Sequence, residues 1–374
     1  PPISPILSSP LNISSCPDEI PMIFRQLFES VSCTYTYLLG SRPGGEALII
    51  DPVLEKTDHY LRLLGELNLT LAKAIDTHVH ADHITALGAL RDKTHCVTVM
   101  GKKSEVDRVS MRVDEGDRIE IENVQLDVLY TPGHTDDSYS FAMSDRVFTG
   151  DALFIRGTGR TDFQHGNNAD AYDSLFNKLL KLPDETMVYP GHDYKGDTVS
   201  TIGEEKAHNP RLQVGSAEEY AKLMNSLNLP DPKQMDVAVP ANLVIGFSAE
   251  IPEIKDATLE APEAINLIGK DGALFVDLRE QNERDRDGLI PGSVHLPYQA
   301  LRNNIKPGGL LAAMASNPDQ QILLYCAFGE RSALGLKEML DAGLTNARHL
   351  GGGIDAWIKA GGRVEKPKPP PTQG

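Results

Sequence analysis

The chain has 374 residues, 40% of them hydrophobic and 24% charged, and carries a formal net charge of −17. That length suits two domains or one large one, either able to bury a full core. The acidic balance excludes nucleic acid and anionic membrane as expected partners, since both need a basic surface, and no run approaches the ~20 apolar residues of a membrane span.

The opening PPISPILSSPLNISSCPDEIP has neither the basic flank nor the long apolar core of a secretory signal, so residues 1–20 read as a flexible tail. Four cysteines without close pairing (Cys16, Cys33, Cys96, Cys326) are too few for a disulfide framework. They predict a reducing compartment: cytoplasmic, or organellar if a precursor segment has been removed. Cys33 and Cys96 sit in strand-like runs and read as buried thiols.

From residue 21 to about 240, short β-rich runs alternate with polar turns and a few helices. Residues 22–28, 34–39 and 47–51 predict a meander, with Ser41–Gly45 as its Gly/Pro turn. Tyr60, Leu63, Leu64 and Leu67 recur at helical spacing, so a helix is expected over 57–67. Residues 72–76, 124–130, 147–149 and 187–189 predict further strands, each followed by a candidate ligand. Residues 241–260, within VAVPANLVIGFSAEIPEIKDATLE, carry no clear helical period and read as a linker. Between 261 and 366 the order becomes helix, strand (274–277), helix, strand (322–325), helix (332–341), then a short strand and helix. That alternation predicts an α/β domain with a parallel sheet. Residues 367–374 are Pro-rich and read as a disordered tail.

The densest chemistry lies in Thr77-His78-Val79-His80-Ala81-Asp82-His83. Two side chains two apart on an extended segment point the same way, so His78 and His80 can share a metal. The turn that follows can carry Asp82 and His83 to the other side of the same pocket. His134 (Thr-Pro-Gly-His-Thr), Asp151 (Phe-Thr-Gly-Asp) and His192 (Tyr-Pro-Gly-His-Asp) follow at other strand ends, and these segments hold five of the 11 histidines. Such clustering predicts a metalloenzyme. His59, His95, His165, His208, His295 and His349 read as surface or core residues.

H-x-H-x-D-H, a Gly-His, a Gly-Asp and a last Gly-His, in this order, resemble the metallo-β-lactamase superfamily. The resemblance implies an αβ/βα sandwich with the metal between the sheets at one edge. It allows two metals bridged by Asp151, one on His78, His80 and His134, the other on Asp82, His83 and His192. A narrower resemblance is carried by DTHVHADHITALGALR, FTGDALFIRGTGRTDFQHG and VYPGHDYKGDTVSTIGEEKAHNPRL. These look like the glutathione-persulfide dioxygenases, and Gly159-Arg160-Thr161-Asp162-Phe163-Gln164 is the discriminating part. That family implies one Fe(II) per chain on His78, His134 and Asp151, with His80, Asp82, His83 and His192 around the metal rather than on it. Two imidazoles and one carboxylate leave three positions for substrate and oxygen. The implied reaction takes glutathione persulfide, O2 and water to sulfite and glutathione. Arg160 is the expected cation for a glutathione carboxylate, and Tyr194 is expected to line the same pocket.

Cys326 ends the strand QILLY and opens Cys326-Ala327-Phe328-Gly329-Glu330-Arg331-Ser332 before a helix. Loop amides and a helix N-terminus favour thiolate there and cradle an anion. With Val276-Asp277-Leu278-Arg279, Leu289-Ile290-Pro291-Gly292 and Gly352-Gly353-Ile354-Asp355-Ala356-Trp357, the loop resembles a rhodanese domain. The resemblance implies transfer of sulfane sulfur between thiosulfate and glutathione through Cys326, with sulfite as the partner anion and Arg331 holding loop and anion. A dinuclear zinc thioester hydrolase of the glyoxalase II kind, with an accessory rhodanese, is the alternative. A homodimer is one option for the assembly.

Overall fold

The computed structural model describes residues 22–227, 235–245, 252–270, 272–317 and 319–367. The expected tail at 1–20, and that at 367–374 apart from Pro367, therefore lie outside the described residues. Two six-stranded sheets build the first unit. The first contains β1 (Ile23–Glu29), β2 (Thr34–Gly40), β3 (Glu46–Ile50), β4 (Thr70–Ile75), β5 (Val97–Gly101) and β6 (Met111–Val113) in that order. β1 to β3 form the antiparallel meander that the turn chemistry predicts, and β3 to β6 then run parallel. The switch is made by the helix Thr57–Glu66, which crosses from β3 to β4.

The second sheet holds β7 (Arg118–Ile121), β8 (Val124–Tyr130), β9 (Tyr139–Ala142), β10 (Arg146–Gly150), β11 (Met187–Pro190) and β12 (Ser200–Thr201). Only β10 and β11 pair in parallel. Side chains alternate across a strand, so β2 sends Tyr37 and Leu39 inward against Val128, Phe141 and Phe148 of the second sheet. Its Leu38 points outward with Ile49 and Ala74, onto Tyr60, Leu64, Leu87 and Leu90 of two helices. On the far side, Val147 and Val188 meet Leu175, Leu179 and Tyr220. The result is four layers, helix on sheet on sheet on helix.

The second unit is a parallel sheet of β13 (Thr258–Leu259), β14 (Ala273–Asp277), β15 (Val294–His295), β16 (Gln321–Tyr325) and β17 (Ala347–Leu350), in spatial order β13-β17-β16-β14-β15. Its strands read as continuous apolar runs because both faces are covered. Val276, Ile322 and Leu324 pack on Leu334, Leu336 and Met339, while Phe275, Leu323 and Tyr325 pack toward Ile354 and the fully buried Trp357.

The segment read as a linker is more ordered than its prolines suggest. A helix spans Met235–Leu243 with Pro240 inside it, another spans Pro252–Asp256, and Thr258–Leu259 joins the sheet of the second unit as its edge strand. Asn242 shows what the first helix does. Its buried amide donates to the carbonyls of His80 and His83 and accepts from the Thr85 N–H, at 2.8–2.9 Å. Reading periodicity alone misses this, because the helix is held by polar contacts to a loop. Asn242→Ala is expected to leave three buried backbone groups unpaired and cost about 1–3 kcal/mol, seen as a lower thermal midpoint.

Candidate metal centre and sulfur loop

The metal candidates gather where the two sheets present strand ends on one edge. Asp51 follows β3 with φ of 50° and is 1% exposed. Its carboxylate accepts from the Thr77 N–H (2.7 Å) and the Thr77 hydroxyl (3.0 Å), and lies 3.2 Å from His80 Nε2. Asp137 accepts from the Val79 N–H at 3.1 Å. The loop from 77 to 83 is thus fixed by two carboxylates and Asn242, none of which stood out among the candidates. Asp51 could have been found by its place at the end of a strand adjacent to β4; Asn242 offers no local signal.

His78, His134 and Asp151 are all buried and offer ligand atoms within 4.8 Å of one another. Thr77 Oγ1 lies 2.9 Å from His78 Nδ1, and with that hydroxyl given to Asp51 the histidine donates, leaving Nε2 free. His134 Nδ1 donates to the Arg160 carbonyl at 2.8 Å, so its bare Nε2 faces Asp151 Oδ2 at 3.5 Å. Two imidazoles with defined tautomers and one carboxylate make a donor set that fits a facially coordinated metal.

The remaining predicted residues surround this trio. His192 Nδ1 lies 2.7 Å from Asp151 Oδ1 and its Nε2 lies 2.8 Å from Asp82 Oδ2. Burial alone would lower the His192 imidazole, but the charges of Asp151 and Asp82 raise it well above its usual value. Reciprocally, burial would raise Asp151, and the His192 charge and hydrogen bond hold it well below the carboxylate range. His80, Asp82 and His83 form a second group within 4.8 Å. Among the described residues, His80 Nδ1 and His83 Nε2 have no hydrogen-bond partner.

The segment 159–164 forms the wall beside His134. A Cβ on Gly159 would stand 2.1 Å from the Asp151 carbonyl and 2.9 Å from the His134 ring, so only glycine lets these backbones meet. Phe163 sets its ring edge-on to His134 at 6.0 Å, and Gln164 donates to the Val79 carbonyl at 3.0 Å. Arg160 uses its backbone on His134 while its guanidinium forks onto Asp162 at 2.6 and 2.7 Å. Tyr194 is 69% exposed and stacks on His192, with rings 6.0 Å apart and 4° from parallel. Cys33 is not a buried strand thiol: it is partly exposed, with φ of 60°, in the turn before β2. Cys96 is fully buried.

In the second unit Cys326 is fully buried at the end of β16. The Gly329 N–H donates to its sulfur at 3.1 Å, and Gly329, with φ of 93°, caps the helix Glu330–Asp341. Arg331 forks onto Glu283 at 2.8 and 2.6 Å, which braces the loop from behind. Its Nε–H is a buried donor without a partner among the described residues. Ser332 Oγ links the sulfur (3.7 Å) to His349 Nδ1 (3.2 Å), and Thr258 Oγ1 takes His349 Nε2 at 2.9 Å. Burial pushes His349 down to about 4.

Two outcomes follow. Gly159→Ala is expected to part Asp151 from His134 and lower bound metal per chain, measured by elemental analysis on soluble, folded protein. His349 is neutral when folded but protonates near 6.5 when unfolded. Stability of the second unit is therefore intact above pH 6.5 and falls by about 1.4 kcal/mol per pH unit down toward 4. Denaturant titrations followed by the fluorescence of Trp357, the chain's one tryptophan, should show that slope, and His349→Gln should flatten it.

Comparison with known proteins agrees with both units. Residues 34–192 match the metallo-beta-lactamase superfamily and residues 260–360 the rhodanese-like domain. Persulfide dioxygenase ETHE1, mitochondrial, of Mus musculus is 48% identical over 229 residues, 60% of this chain and 89% of that protein. The crystal structure of ETHE1 from Myxococcus xanthus is 55% identical with a TM-score of 0.59, covering 60% of this chain and all of that one. A metallo-beta-lactamase structure from Staphylococcus aureus, at 23% identity, shares the fold over 88% of this chain with a TM-score of 0.57. By identity, coverage and the buried His/Asp metal-binding group, this chain belongs to the ETHE1-type persulfide dioxygenase family of the metallo-β-lactamase superfamily, extended by a rhodanese-like domain.

Proposed function

We propose that the chain is a bifunctional sulfur enzyme: a non-haem Fe(II) glutathione-persulfide dioxygenase joined to a thiosulfate sulfurtransferase. The observation that carries the first activity is the convergence of His78, His134 and Asp151 within 4.8 Å, with tautomers set by Thr77 and Arg160. When bound, ferrous iron would supply open coordination positions and one-electron chemistry toward dioxygen, with one iron held per chain. Everything else falls to the protein. Glutathione persulfide, O2 and water become glutathione and sulfite, the terminal sulfur losing the four electrons that dioxygen gains.

His192, positioned between Asp151 and Asp82, keeps Asp151 anionic and oriented. Asp82 in turn is held by His83 and Thr34. His80 is fixed by Asp51 and stays beside the metal rather than on it. At the rim, Arg160 offers a carboxylate the same two N–H donors that Asp162 now accepts, and Tyr194 offers an exposed ring for the peptide portion of the substrate.

For the second activity, Cys326 as thiolate attacks the outer sulfur of thiosulfate, releasing sulfite and leaving a cysteine persulfide. Glutathione thiolate then takes that sulfur, giving glutathione persulfide and restoring Cys326. Both steps are reversible and balance without a redox partner. The Gly329 amide points at the sulfur, and the helix Glu330–Asp341 begins beside it. No helix among the described residues is long and apolar enough to cross a membrane. Reduced cysteines suit the cytoplasm, and the mitochondrial designation of the mouse relative supports an organelle.

A dinuclear hydrolase of the glyoxalase II kind is the second reading, favoured by the bare His80 Nδ1 and His83 Nε2 in a group that also fits a metal. Metal analysis with an oxygen electrode separates the two. The first reading expects one iron per chain and oxygen uptake with glutathione persulfide; two zincs without uptake would end it. His134→Ala is expected to lose iron and oxygen uptake while keeping thiosulfate:glutathione transfer. Cys326→Ser should show the reverse pattern.

A further inference from the structure

The side of the second unit that carries the Cys326 loop is packed on the first unit. Glu330, next to Gly329, is 5% exposed, yet its carboxylate finds partners on the first unit. Arg91 Nη1 donates to it at 2.6 Å, Ser110 Oγ at 2.7 Å and Thr98 Oγ1 at 3.5 Å. Arg112 of the first unit lies over the Phe328 ring at 5.8 Å. A second tether reaches Arg331. Lys73 on β4 is 3% exposed and donates to Glu280 at 2.6 Å and to the Glu120 carbonyl at 2.8 Å. Glu280 caps the helix Gln281–Asp287 in a reciprocal box with Glu283, and Glu283 is the residue that forks onto Arg331.

We infer that Arg91 and Lys73 of the metallo-β-lactamase unit are positioning residues for the sulfur-transfer loop of the rhodanese-like unit. The inference rests on the reading that Cys326 transfers sulfur. An acid beside a loop that must hold thiosulfate and thiolate is unfavourable unless its charge is cancelled. Here the cancelling cation belongs to the other unit. Without Arg91, Glu330 is a buried charge that has lost the guanidinium donating to it at 2.6 Å, and its easiest relief is to swing toward water. That movement draws away the adjoining Gly329 amide, which contacts the Cys326 sulfur. The rhodanese-like unit alone therefore does not contain its complete loop geometry.

The test uses the full, iron-loaded chain. Arg91→Met is expected to lower kcat/KM for thiosulfate:glutathione transfer about tenfold or more, with oxygen uptake on glutathione persulfide within about twofold as a control for folding. The rate at which iodoacetamide alkylates Cys326, located by peptide mass spectrometry, should change by a similar factor. Arg91→Met with Glu330→Gln removes both charges and should recover most of the loss, which general damage to the interface would not. Lys73→Met, cutting the other tether, carries the same test if Arg91→Met does not accumulate. Wild-type transfer and alkylation rates in these single variants, or a double variant as impaired as the single one, would overturn the inference. Wild-type transfer no better than Cys326→Ser would instead end the sulfurtransferase reading, while the alkylation rates still judge the positioning role.

Discussion

Asp51 is the constraint on which the metal centre depends. Its carboxylate sits at the end of β3, beside the end of β4, and takes both the amide and the hydroxyl of Thr77 while meeting His80. A buried carboxylate bonded to backbone N–H groups is worth more than the same contact in water. Because Thr77 also contacts His78, the same acid sets the tautomer of a metal-binding imidazole two bonds away. Burial alone would lower His80, but the Asp51 charge and hydrogen bond push it up to about 9. Fixing these groups before any metal arrives is what lets a short loop present ligands without rearrangement.

Buried charge is handled in the same way throughout the chain. Arg331 with Glu283, Arg279 with Asp277 and Arg91 with Glu330 are each nearly or wholly inaccessible pairs with hydrogen-bonded geometry. Such pairs add little net stability over apolar packing, yet breaking one side is costly. They act as register marks: Arg279 locks the turn after β14 to Asp277 and the Gly288 carbonyl, and Arg331 locks the sulfur loop to the neighbouring helix. The contacts of Arg91 and Lys73 extend this logic across two units that have separate sheets.

On the proposed chemistry, the joining of the two units has a simple rationale. One site consumes a persulfide, and the other makes or removes one from a thiol without changing the count of electrons. On that reading both work on sulfur anions.

Much of this was legible in the order of residues alone. The spacing of His78, His80, Asp82 and His83, then His134, Asp151 and His192, declares a metal site because so many ligands at strand ends have few other uses. The helix at 57–66, the meander and the parallel second sheet followed from period and turn chemistry. The resemblance singled out His78, His134 and Asp151, and tertiary structure shows how they come together, since they lie on different strand ends that meet only when the two sheets stack. It also supplied the partners of Asp51, Asn242, Arg91 and Glu330. Each is an ordinary polar residue in its own segment, and its significance comes from a partner distant in the chain, which local periodicity cannot encode.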